Sequence, residues 1–132
     1  MDPDFTKYSL ALIENDKIVF SSQENGLKPL WECLKKFHRS KRNFILFDKV
    51  IGLAAGKIIV HAQIISRIET LLVSKPAKIF LEKNNIPINA AQIVPNILTR
   101  DRQAICPGEI IALNISDTDE FLTKIEGILN RQ

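Results

Sequence analysis

The chain has 132 residues, of which 45% are hydrophobic and 25% charged, and its net charge is +3. That is enough apolar material for one domain with its own core, spanning residues 1–132, and it excludes a disordered or low-complexity chain. Two cysteines far apart, Cys33 and Cys106, do not make a secreted disulfide scaffold, and the mild positive charge does not by itself indicate a nucleic-acid partner. With no signal-peptide pattern in "MDPDFTKYSL", the expectation is a cytoplasmic protein with reduced thiols. The most apolar segment, Val50 to Val60, is too short to span a membrane and is broken by Lys57, so no membrane association is expected.

In chain order, "KYSLALIENDKIVFSS" predicts a hairpin. Tyr8, Leu10 and Leu12 alternate with Ser9 and Ala11, and Ile18 and Phe20 resume the pattern after Asn15-Asp16. In "NGLKPLWECLKKFH", Leu27, Leu30, Leu34 and Phe37 have helical spacing, with Trp31 beside them and Pro29 suited to the first turn. "NFILF" reads as a central strand apolar on both faces. Asp48 is placed to cap a helix beginning near Lys49, and that helix is apolar nearly all round, as for a helix buried in a core.

"RIETLLVS" predicts a strand, and "KPAKIFLEKNN" a helix started by Pro76 and stopped by a left-handed Asn85. "PINAAQIV" reads as a strand nearer an edge, because of Pro87. An irregular stretch, "PNILTRDRQAICPGE", precedes two closing helices, "GEIIALN" and "DTDEFLTKIEGILN", the second opened by the capping pair Asp117 and Glu120. A hairpin followed by strand–helix alternation implies an α/β fold of three layers, an α-β-α sandwich with parallel strands after the hairpin and right-handed crossover helices. In such sheets ligands sit beyond the carboxyl ends of the strands, against helix starts. That rule selects "NGLKP", "FDKVIG" and "RDRQAICPGE".

The glycines do not make a dinucleotide or P-loop signature. Gly52 and Gly56 fall inside the expected helix rather than in the turn before it, and Gly56-Lys57 is followed by Ile58. They read as packing residues. Asp48 and Lys49, at the turn, stand where a ligand would meet free helix-start amides; for Asp48 a plain N-cap is the competing role. His38 and His61 lack partners at metal-ligand spacing, so no metal site is expected. The run Lys35 to Arg42 reads as a solvated helix end suited to the negative pole of the helix. Cys106, ahead of a helix start, is a candidate nucleophile, with Asp48 or Glu109 in proton transfer. No histidine lies near it in sequence, and a small cysteine in a tight turn is the competing reading. Arg100 presents a fork suited to a carboxylate or phosphate.

Taken together, "NGLKPL", "FDKVIGLAAG", "VPNILTRD" and "CPGE" resemble, in order and interval, a family of small bacterial and archaeal proteins known as a domain of unknown function with a cytidine-deaminase-like fold. The resemblance implies a mixed sheet with a leading antiparallel hairpin between helices. It marks Gly26, Lys28, Pro29, Asp48, Lys49, Gly52, Asn96, Arg100, Cys106, Pro107 and Glu109 as shared positions. Zinc deaminases carry H-x-E at one helix start and P-C-x-x-C at the next. Here those starts read "GLKP" and "DKVIG", without metal ligands or the glutamate, so deamination is not expected. The expectation is a zinc-free domain without a cofactor that binds a small anionic or nucleotide-like ligand through Lys28, Asp48, Lys49, Asn96 and Arg100. Gly26, Pro29, Gly52 and Pro107 would shape the backbone. The alternatives are a thiol-dependent enzyme using Cys106, or a non-catalytic module that pairs edge strands into a homo-oligomer.

Overall fold

A computed structural model describes residues 1–38, 43–99 and 101–130. Strands β1 (Leu10–Glu14) and β2 (Lys17–Ser22) form the hairpin. They turn at Asn15 and Asp16, whose φ values of 52° and 61° give the two-residue turn that matches strand twist. Helix α1 (Lys28–Phe37) follows, then β3 (Phe44–Asp48), β4 (Val50–Ile51), α2 (Leu53–Ala62), β5 (Ile65–Ser74), α3 (Lys75–Lys83) and β6 (Ile88–Val94). Helices α4 (Pro107–Asn114) and α5 (Thr118–Leu129) close the chain.

The strands form one mixed sheet of six. β1 pairs antiparallel with β2 and β3, while β3, β4 and β6 all run parallel to β5. Ile68 and Glu69 of β5 pair with both β3 and β6, and Leu72 and Val73 with both β4 and β6. A strand has two edges, so β3 and β4 share one edge of β5 and β6 occupies the other. Flanked by helices, the sheet makes a three-layer α/β sandwich. The hairpin, the crossovers and the left-handed stop at Asn85 (φ 64°) are as the sequence indicated.

The structure corrects the sequence reading at one turn. Asp48 does not cap a helix: the chain continues from β3 through Lys49 into the short strand β4, and α2 begins only at Leu53. Gly52 is therefore not inside the helix but at its N-cap, in an extended conformation. The cause is β5, whose length lets a second segment pair beyond the end of β3.

All five helices contribute to the main core, which contains Leu10 and Leu12 of β1 and Phe44 and Leu46 of β3. The alternate residues Ala11, Ile13 and Phe47 form a smaller cluster on the opposite face, closed by Phe5 and Tyr8. Helix α2 is buried nearly all round, as its composition requires, because α1 and α3 flank it while α4 and α5 pack on it. Its one charged residue is held accordingly. Lys57 donates from Nζ to the carbonyls of Ala112 (2.5 Å) and Ile115 (2.7 Å) at the end of α4, and lies 5.2 Å from the centre of the Phe121 ring. A cation at a helix C-terminus offsets the dipole and the unpaired carbonyls there.

Replacing Lys57 by Met keeps the apolar stem and removes the charged donor. The expected outcome is a loss of about 1.5–3 kcal/mol in unfolding free energy, the worth of hydrogen bonds to a charged group, read by urea denaturation. An unchanged midpoint would refute the role given to Lys57.

Candidate functional site

Three of the four sequence motifs meet at the start of α2. The carboxylate of Glu109, in the first turn of α4, accepts from the backbone N–H of Leu53 (2.8 Å) and, more weakly, of Ala54 (3.4 Å). Cys106 N–H donates to the carbonyl of Ile97 (2.9 Å), which binds the loop after β6 to the start of α4. Gly52 lies against both. A Cβ on it would fall 1.5 Å from Glu109 Oε1 and 2.9 Å from Ile97 Cγ1. Glycine is required there because a carboxylate occupies the space of its side chain.

This overturns the expectation that ligand-ready amides stand free beside Asp48 and Lys49. The anion site at this helix start is filled by the chain's own Glu109, which is 7% exposed. Burial pushes the Glu109 carboxyl above its ordinary range; the Leu53 and Ala54 amides, and the charge of Lys57, pull it partly back. Glu109 was singled out in the sequence, but as a partner of Cys106. The structure turns its side chain to α2, while Cys106 is half-buried as the N-cap of α4 with no side-chain capping bond.

Asp48 is 8% exposed and lies on the core face of β3, the face of Phe44 and Leu46. Burial raises its carboxyl well above the ordinary value, and the amides of Val50 and Lys49 only partly oppose that. Across the core, burial first and then the Asp48 charge push the Cys33 thiol up to about 12. Cys33 is thus an inert core thiol.

Lys49 goes the other way. Its backbone is tied to Ser9 (N–H to O, 2.9 Å), and the residue lines a groove of about 360 Å³ at the carboxyl end of β3, together with Phe5, Lys7, Tyr8, Gln23 and Asn25. Gln23 Nε2 donates to the Lys7 carbonyl (3.2 Å), and the Phe5 and Tyr8 rings meet edge to face at 6.0 Å. Lys7 pairs with Asp4 at 3.8 Å, a solvent-screened surface pair that leaves the lysine's charge available. In the sequence Lys7, Tyr8 and Ser9 read as the start of the hairpin's first strand, but β1 begins only at Leu10, so their place in the groove was missed. The one signal there is a pair of aromatic residues, Phe5 and Tyr8, ahead of the hairpin.

Of the other expected residues, Lys28 opens α1 with Pro29 beside it, and Gly26 occupies the turn before, where its φ of 92° favours glycine. Asn96 is half-buried, next in sequence to Ile97, and does not line the groove. Pro107 is the first residue of α4. Arg100 lies outside the described residues, as do Arg39, Lys41 and Arg42 of the basic run. Among the described residues no group of three His, Cys, Asp or Glu is arranged to hold a metal ion, and no helix is long and apolar enough to cross a membrane.

The raised carboxyl of Asp48 has a consequence for stability. An acid whose folded pKa is raised binds its proton more tightly in the native state, so its contribution is fully present below the unfolded value near 3.8 and is lost as pH rises to the folded value. Asp48→Asn removes that titration. The variant is expected to show a flatter decline of Tm from about pH 4 upward than the parent chain, measured by thermal unfolding across pH. A parallel decline in both would contradict the assignment.

The family model described as TM1506, domain of unknown function (DUF1893), matches residues 4–129. Among solved structures, the crystal structure of a DUF1893 family protein from Thermotoga maritima is similar, at 24% identity and a TM-score of 0.80, over 92% of this chain and 81% of that one. No match was found among curated proteins. The structural likeness carries the fold, and the family model spans nearly the whole sequence, including the motifs that meet at Gly52: the chain belongs to the DUF1893 family.

Proposed function

We propose that this protein is a zinc-free domain of deaminase-like architecture that binds a small anionic or nucleotide-like ligand in the groove beside Lys49. The observation that carries the reading is the composition of the groove. Two lysines, Lys7 and Lys49, supply charge; Gln23 and Asn25 supply carboxamides able to read polar edges; Phe5 and the buried Tyr8, which close the core cluster behind it, complete the lining. The groove lies at the carboxyl end of β3, where open α/β sheets receive their ligands. The motif difference supports the zinc-free part: α1 opens on Lys28-Pro29 and α2 on Gly52-Leu53, where zinc deaminases carry their ligands. Within this reading the ligand contacts are Lys49 and Lys7, while Asp48 serves as a buried support beneath Lys49.

The thiol reading has less support. Glu109 is committed to the amides of α2. His61 lies eight residues along α2 from Leu53, about 12 Å at the rise of a helix, so it is no base for Cys106.

Calorimetric titration with adenosine monophosphate, ribose 5-phosphate and inorganic phosphate tests the proposal. At least one is expected to bind, and Lys49→Glu and Lys7→Glu are each expected to weaken it by about tenfold or more, the worth of one charged hydrogen bond. No binding by any of the three, or affinities untouched by both substitutions, would reject the groove as a ligand site.

A further inference from the structure

The two ends of the sheet are not alike. β2 closes one end. It carries Lys17 and a register shift against β1 between Leu12 and Ile13, two devices that keep an edge from pairing with another chain. β6 lies at the other end, on the opposite edge of β5 from β3 and β4. Its seven residues, "INAAQIV", include no charge and no proline, and its register with β5 runs without a shift. Ile68 N–H donates to the Pro87 carbonyl at 3.0 Å, which sets the phase of the ladder. Pro87, Asn89, Ala91 and Ile93 turn their backbone groups to β5, so Ile88, Ala90, Gln92 and Val94 turn theirs outward. Among the described residues, no other backbone meets those outward groups.

We propose that β6 pairs antiparallel with β6 of a second copy of this chain, about a two-fold axis at Ala91. An open row of alternating donors and acceptors is matched by another strand edge, and this strand is its own complement. With Ala91 on the axis, Ala90 faces Gln92 of the second copy and Ile88 faces Val94. Outward groups then meet outward groups, and each such pair exchanges two hydrogen bonds. Ala91 meets its own copy at the closer spacing, with Cα atoms about 4.5 Å apart, where a methyl group fits and a long side chain would crowd. The strand holds no charge, so the two copies bring no like charges together along it. Ile93, 52% exposed, faces Asn89 of the second copy and loses apolar surface to it. None of the residues lining the groove beside Lys49 lies on β6, so the pairing leaves that groove open.

Sedimentation equilibrium of the full chain across the micromolar range is expected to give twice the mass of one chain. Ala91→Lys sets two like charges opposite each other on the axis and is expected to return the mass of one. Ala91 is exposed, so this variant is expected to keep the parent's circular dichroism. Ala91→Cys, in a Cys106→Ser background, tests the register without adding charge. The spacing on the axis suits a disulfide, so mild oxidation is expected to link the two copies. Asn89→Cys, which stands opposite Ile93 and not its own copy, is expected to stay unlinked. If Ala91→Lys fails to fold, the two cysteine variants decide. A chain that stays monomeric throughout overturns the proposal, as does a dimer unmoved by Ala91→Lys. No linkage through residue 91, or linkage through residue 89 as readily, overturns the two-fold at Ala91.

Discussion

The fold turns on one contact, the Glu109 carboxylate on the first amides of α2. Helix α2 is covered on nearly every side, so its start cannot leave its N–H groups to water. An acceptor must come from elsewhere in the chain, and the first turn of α4 brings it. Once a carboxylate stands there, residue 52 has no room for a side chain, and Ile97 closes the remaining space. The loop between β6 and α4 is then bound by Cys106 to Ile97, and Lys57 ties the far end of α4 to the same helix. A single buried charge thus fixes how the C-terminal helices dock on α2.

That contact also redirects the functional reading. A helix start facing the carboxyl end of a parallel sheet is a ready anion site, and in this chain the protein fills it itself. The lysines and carboxamides of the proposed groove lie elsewhere, beyond the end of β3. The three-layer α/β architecture by itself assigns no reaction.

Much of this was legible in the sequence, for physical reasons that can be named. The Asn15-Asp16 turn, Pro29, Pro76 and Asn85 are local devices whose effect depends on the backbone alone. The apolar run of α2 announced a buried helix because no exposed helix tolerates that composition. The start of α2 was misplaced because β4 is only two residues long, and its pairing depends on β5, which lies later in the chain. Glu109 was noticed, but its target is 56 residues away, and no periodicity encodes such a contact. Lys7, Gln23 and Asn25 were missed because each is an ordinary polar residue until the hairpin folds.

The interlock of Gly52 with Glu109 is tested most directly by a double-mutant cycle read by chemical denaturation. In the parent chain, Gly52→Ala is expected to cost about 2–4 kcal/mol, combining overpacking with loss of the cap. In a Glu109→Ala background the carboxylate is already gone, so the same change is expected to cost at least about 1 kcal/mol less. Costs that add to within about 0.5 kcal/mol would show that Gly52 and Glu109 act independently, and would contradict this account of the fold.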